Sequence, residues 1–192
     1  MYLHYVAMTL KILNEEQLVN ELRLGNREAF GEIYAHYRDG LFNYCNSLVK
    51  DNSRADDLVH ETFLKVWSTI QTLKHTSSFR SWIFSIARNQ ALLFLRDRKP
   101  FEKLSDEIPL TDDDALDLMI SSEASAALGN LLDQLRPAYR ELIVLRVYEE
   151  LSYVEIASVT GISVSAIRVH LYRARKALAG IYTRRYGENY DE

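Results

Sequence analysis

The sequence predicts an all-α protein, two small helical domains joined by a flexible acidic linker. Three observations carry that expectation. Apolar residues recur at three- and four-residue steps along both halves of the 192-residue chain. Only 7 Gly and 3 Pro are present, too few for the many tight turns of a β sandwich. Between Phe101 and Glu123 stand eight Asp or Glu against one Lys, a like-charged run that resists packing. Two compact halves are therefore expected, from Glu15 to about Lys99 and from about Ser125 to Tyr186, with the linker, 100–124, between them.

In the first half, Leu18, Leu22, Phe30, Ile33, Tyr34, Tyr37, Leu41, Phe42 and Cys45 trace a helical period from about Glu15, and Gly40 could kink it without breaking it. Asp51 to Ser53 reads as a turn with capping residues, and a helix follows from about Arg54 to Ile70. Its inward stripe is expected to be Val59, Phe63, Val66 and Trp67, leaving Asp57, His60, Glu61 and Lys65 on the remaining surface. Gln71 to Ser78 is polar and reads as a loop. A third helix is expected over Phe79 to Arg98. On it, Phe79, Trp82, Ile83, Ile86, Ala87, Leu93 and Phe94 share one apolar arc, while Ser81, Ser85, Arg88, Leu92, Arg96 and Lys99 lie opposite. Pro100 then ends the helix.

Within the linker a short helix could start near Ala115. The second half reads as helical segments at about 125–135, 137–149, 152–158 and 163–180, with Pro137 at the first position of its segment. Ser152 and Glu155 have the spacing of a capping box, and Ile156 and Ala157 face inward. Gly161 supplies the positive φ of a sharp turn, and Ser163 caps the next helix. There, Ile167, Leu171, Ala174 and Leu178 fall on one side. Ser165, Arg168, Val169, Tyr172, Arg173 and Lys176 fall on the other. This is the pattern of a helix-turn-helix.

Charge sharpens that reading. The chain carries 23 Lys and Arg against 27 Asp and Glu, a formal net charge of −4, so it is no simple polycation. From Gly161 to Tyr186, however, there are six Lys or Arg and no acid. A basic, polar outer face on the second helix of such a motif suits the DNA major groove. The competing description is a plain helical hairpin with a solvated basic face. The 79–99 segment is also basic, with five Arg or Lys and one Asp beside a polar loop. Such a segment could hold a nucleic-acid single strand through its phosphates and a captured base.

Other functions find no support. A lone cysteine, Cys45, can form neither an internal disulfide nor a multi-cysteine zinc site, and points to a reducing compartment. It sits in an apolar stripe and reads as a small core residue rather than a redox sensor. The five histidines lack metal-ligand spacing, and no Gly-rich phosphate loop, HExxH or nucleophile elbow occurs. No catalytic residue, metal or cofactor is therefore expected. No run of about 18 apolar residues suggests a membrane span. The first ten residues lack a signal peptide's basic region and cleavage site, and Met8 is an alternative start to Met1.

Five stretches occur in one order across the acidic linker. They are REAFGEIYAHY (Arg27 to Tyr37), DDLVHETFLKVW (Asp56 to Trp67), FRSWIFSIARNQA (Phe79 to Ala91), LRPAYRELIVLRVYEELSYVEIA (Leu135 to Ala157) and LYRARKAL (Leu171 to Leu178). Together, over about residues 14–182, the chain resembles the extracytoplasmic-function (group IV) sigma factors of bacterial RNA polymerase. The resemblance implies a cytoplasmic, non-enzymatic transcription-initiation factor whose partners are core RNA polymerase and promoter DNA. It implies that residues 14–99 hold core polymerase and open the −10 element. Asp57, His60, Glu61 and Lys65 would meet the polymerase. Thr76, Ser77 and Ser78, in the loop Thr72 to Ser78, would capture a base of the −10 single strand, supported by Arg80, Arg88 and Asn89. Residues 125–182 would read the −35 duplex, with Arg168, Val169 and Tyr172 at base edges and Ser165, Arg173 and Lys176 at phosphates.

Two positions depart from the family's pattern. His60 stands where Gln is usual, which would make that contact pH-sensitive. Val169 stands where a small polar residue is usual, and would make an apolar contact such as one to a thymine methyl. An anti-sigma protein, frequently membrane-anchored in such systems, is a further implied partner. The alternative function is a helix-turn-helix regulator that is no polymerase subunit and binds a duplex palindrome alone as a dimer. DDLVHETFLKVW and FRSWIFSIARN argue against it, since such a regulator has no need of them.

Overall fold

The computed structural model describes residues 15–96, 104 and 130–186. Among them the regular structure is entirely helical. The chain forms two compact units, Met1–Phe94 and Leu95–Glu192. Lys99, the acidic stretch with the short helix expected near Ala115, and the region around Met8 lie outside the described residues.

In the first unit, helix α1 (15–23) is separated from α2 (Arg27–Val49) by a turn. The continuous helix expected from Glu15 is thus broken at 24–26. Gly25 adopts φ +83°, a region that costs glycine little. Asn26 then caps α2, its side-chain oxygen accepting the N–H groups of Glu28 (2.8 Å) and Ala29 (3.3 Å). Once begun, α2 runs unbroken through Gly40 and stops at Lys50, whose φ of +57° turns the chain out of the helix. Asp51 caps α3 (Asn52–Thr69), accepting the Arg54 N–H at 3.0 Å.

The buried residues of α2 and α3 recur at three- and four-residue steps, from Ala29 to Leu48 and from Ala55 to Val66. Their seam is aromatic, with Tyr34 4.5 Å and Phe30 6.0 Å from Phe63 between ring centroids. Helix α4 (Phe79–Arg96) joins this core through Tyr37–Phe79 (5.6 Å) and Tyr44–Phe84 (5.4 Å). Each ring so buried is worth about 2 kcal/mol.

Two expected faces are corrected. Trp67 is 41 % exposed, lying edge-on to Phe30 at 5.2 Å rather than inside the stripe. On α4 the buried row is Phe79, Ile83, Ala87 and Ala91 together with Phe84, while Leu93 is 58 % exposed and Ser81 is buried. The small residues Ser81, Ala87 and Ala91 suit close packing, and Phe84 fills the space beside Tyr44. The expected loop at 71–78 is in fact two short 3₁₀ turns, Ile70–Thr72 and Thr76–Ser78, around the buried Leu73. It is tied to α1: the Arg23 guanidinium donates to the Leu73 carbonyl, and the Gln71 amide donates to the Arg23 carbonyl at 2.6 Å.

In the second unit, residues 130–132 are helical, and α5 (Pro137–Ile143) opens with Pro137 at its start. The segment expected to continue as one helix to 149 instead widens into a π turn, Val144–Tyr148, closed by the Glu149 N–H donating to the Val144 carbonyl at 3.0 Å. Glu150, at φ +51°, reverses the chain into α6 (Tyr153–Thr160). Helix α7 (Val164–Tyr186) follows after a bend of 99°, and both α5 and α6 pack on it. Among the described residues no single helix is long and apolar enough to cross a membrane.

Candidate nucleic-acid interface

Helices α6 and α7 have the geometry of a helix-turn-helix, and local chemistry sets it. The capping box at Ser152 is complete: its N–H and Oγ–H donate to the Glu155 carboxylate (2.8 and 2.7 Å), while Oγ accepts the Glu155 N–H (3.2 Å). Gly161 takes φ +75° and donates its N–H to the Ala157 carbonyl at 2.9 Å. Ser163 Oγ accepts the Ala166 N–H at 3.3 Å and so opens α7.

Helix α7 buries Ala166, Ile167, His170, Leu171, Ala174, Leu178 and Ile181. Ser165, Arg168 and Lys176 are exposed, and Tyr172 and Arg173 are half-buried. The Lys176 ammonium lies 5.9 Å from the Tyr172 ring centroid. Val169 is only 2 % exposed and leaves the outward set. At 100° per residue it falls within the polar arc, between Lys176 and Arg173, so its burial is cover by neighbouring side chains and not a place on the apolar arc. Tyr153, at the start of α6, carries no role in the sequence reading, yet its ring faces the Arg168 guanidinium at 5.9 Å.

In the first unit, α3 presents Asp57, His60 and Lys65 to solvent. Glu61 is less available. Arg54 holds it with Nη1 at 2.9 Å from Oε1 and Nη2 at 3.4 Å from Oε2, while Nη1 lies 3.6 Å from Asp57. The same guanidinium sits 4.7 Å over the Phe94 ring of α4. Leu64, passed over in the sequence, is 58 % exposed and falls one turn beyond His60 on the same side. Its spacing of four from His60 and seven from Asp57 was the signal. The face thus carries mixed charge around an apolar centre and is rimmed by the partly exposed Trp67.

The structure places Thr76, Ser77 and Ser78 in the turn leading into α4, with Ser77 and Ser78 exposed. Ser81 Oγ donates to the Ser78 carbonyl at 3.1 Å, fixing that turn to the helix. Arg80 adjoins it and is half-buried. Nine residues on, Asn89 is exposed but lies about 180° around the helix from Arg80. The structure therefore does not gather Arg80, Arg88 and Asn89 on one face. Among the described residues no group of three or more His, Cys, Asp or Glu could hold a metal.

Fold and site define a class: a helix-turn-helix protein with a second helical unit, whose α3 exposes Asp57, His60, Leu64 and Lys65. The pattern described as Sigma-70, region 4 matches residues 125–178, and Sigma-70 region 2 matches residues 33–101. The chain is 30 % identical over 155 residues to ECF RNA polymerase sigma factor SigM of Bacillus subtilis (strain 168), covering 80 % of this chain and 94 % of that protein. It is 27 % identical over 172 residues to ECF RNA polymerase sigma factor SigW of the same organism, covering 83 % and 92 %. CnrH, solved in complex with the cytosolic domain of CnrY, superposes with a TM-score of 0.67 at 25 % identity, covering 88 % of this chain and 97 % of that one. The chain belongs to the extracytoplasmic-function sigma factors of RNA polymerase.

Proposed function

We propose that the protein binds core RNA polymerase and directs promoter-specific initiation by reading two DNA elements. The observation that carries this is the pairing, in one chain, of a helix-turn-helix whose second helix is basic and exposed with a separate helical unit whose α3 exposes charged side chains around Leu64. Residues 14–99 form the domain that holds polymerase, through Asp57, His60, Leu64 and Lys65 on α3. Glu61 contributes by setting Arg54. The turn Thr76, Ser77 and Ser78 and the adjoining Arg80 hold the −10 single strand, and Arg88 and Asn89 reach its backbone from other sides of α4. Residues 125–182 read the −35 duplex: Arg168 and Tyr172 meet base edges, and Ser165, Arg173 and Lys176 meet phosphates. The acidic stretch 100–124 links the two.

Neither unit offers enough contact to hold a promoter tightly alone. Polymerase fixes both at one spacing, so each raises the effective concentration of the other. The protein acts in the cytoplasm as a subunit and not as an enzyme. The solved complex of CnrH with a CnrY domain supports a further partner here, an anti-sigma protein that occupies the same exposed faces. The test is run-off transcription from a pool of random −35 and −10 sequences, using core polymerase with and without the protein. Transcripts that require the protein support the proposal. Absence of such transcripts, together with tight binding to a duplex palindrome without polymerase, would replace it with the independent regulator.

A further inference from the structure

Two guanidinium groups lie against the Tyr153 ring. Arg146, from the π turn, has its Cζ 5.2 Å from the ring centroid, and Arg168, from the recognition helix, has its Cζ 5.9 Å away. Both fall within the reach of a cation–π contact. The ring is held from its own side as well. Tyr153 is the first residue of α6, between Ser152 and Glu155, whose three mutual hydrogen bonds form the capping box and fix the turn that carries it. Arg146 is anchored separately, its Nη1 donating to the Leu151 carbonyl at 3.1 Å.

Arg168 differs from both. It is exposed on α7. A long exposed arginine loses rotamer freedom when it is set against a base edge, a cost of about 2 kcal/mol for a fully free side chain. A ring that already holds its guanidinium lowers that cost before DNA arrives. A guanidinium also stacks by its flat face, leaving its N–H edge free for two parallel bonds to a planar acceptor pair.

We infer that Tyr153 is a positioning residue for −35 readout: its ring holds the Arg168 guanidinium in the orientation that meets a base edge, and Arg146, itself anchored, steadies the ring. This rests on the reading of Arg168 as a base contact. The ring itself reads no sequence. Its effect is confined to the base position that Arg168 reads, and any flat aromatic ring would serve.

The test uses the full-length protein with core polymerase and a library randomised across the −35 element, scored by transcript yield per base. Arg168→Ala identifies the position it reads. Tyr153→Leu is expected to lower the preference at that same position about two- to five-fold, the range an exposed cation–π contact supports. Tyr153→Phe and Tyr153→Trp keep the wild-type preference, and Arg168→Ala combined with Tyr153→Leu behaves like Arg168→Ala alone. Circular dichroism and thermal melting check that each variant folds. Should Tyr153→Leu melt early, Tyr153→Gln replaces it as the ringless variant.

The inference is overturned if the ringless variant leaves that position unchanged or weakens all positions alike. It is equally overturned if Tyr153→Phe is as damaging as Tyr153→Leu, because the hydroxyl would then be the operative group. In those cases Arg168 keeps its role. If Arg168→Ala alters no base preference, the base-reading assignment itself falls, and the inference falls with it.

Discussion

Arg54 shows how one side chain rearranges a site inferred from residue types. Asp57 and Glu61 look like free acids on a polymerase-facing helix, yet one guanidinium spans both and stacks on Phe94 of the next helix. Glu61 is 40 % exposed at its side chain, so the pair is worth at most about 1 kcal/mol, and its value lies in orientation. Val169 makes the complementary case. Val169→Ala should lower unfolding stability by about 1–2 kcal/mol in denaturant melts and leave −35 base preference unchanged, whereas Lys176→Ala should weaken all sequences alike and reduce the salt slope by about one. A selective loss at one base in Val169→Ala would restore it to the reading face. Burial also pushes the Cys45 thiol from 9.0 up to about 12, opposed by the Arg54 charge and aided by that of Glu61. The folded state keeps a proton that the unfolded chain releases. That stability is whole below pH 9.0 and is lost as the pH rises towards about 12. Urea midpoints should therefore fall more between pH 8 and 10 in wild type than in Cys45→Ala. An aromatic disulfide reagent should modify Cys45 only across the unfolding transition. Prompt reaction in the folded protein would show the thiol is accessible.

At the scale of elements, backbone conformation gives substitutions of one kind opposite signs. Gly161 sits at φ +75° in the turn of the helix-turn-helix, where a Cβ meets no neighbour but the dihedral is strained. Gly161→Ala should destabilise by about 1 kcal/mol. Gly31 lies inside α2 with ordinary helical dihedrals and open space around it. Gly31→Ala should stabilise by about 0.5–1 kcal/mol. Thermal melts of the two variants check both signs. The caps at Asp51, Ser152 and Ser163 were legible in the sequence because a cap is a contact between residues three apart. The break at Gly25 was not, because apolar spacing continues across it from Leu22 to Phe30. The π turn at Val144–Tyr148 was also hidden. Its wider ring leaves no mark in local propensity and accompanies the burial of Val144 and Leu145.

At the scale of the whole molecule, the proposed function requires a partner that engages both units. Leu64→Ala combined with Asp57→Ala should weaken core-polymerase affinity at least ten-fold, as apolar centres with charged rims do, while helicity and melting temperature stay near wild type. Unchanged affinity, measured by fluorescence titration of core polymerase, would remove α3 as the docking face. Without polymerase the chain should show only weak, salt-sensitive DNA binding. A mobility shift with and without core polymerase measures that difference directly.

The helical class, the caps and the basic recognition helix were readable from residue order alone, because each arises from contacts three or four positions apart. The family motifs were readable for the same reason, being local strings. Which arc of α4 is buried, whether Trp67 and Leu64 face solvent, and that Val169 is covered were settled only in three dimensions. Each of those choices depends on a surface supplied by another part of the chain. The same holds for Arg54 bridging Asp57, Glu61 and Phe94, and for Tyr153 meeting Arg146 and Arg168. Side chains separated by up to forty residues meet there because the helices that carry them pack, and no periodicity in the sequence records that meeting.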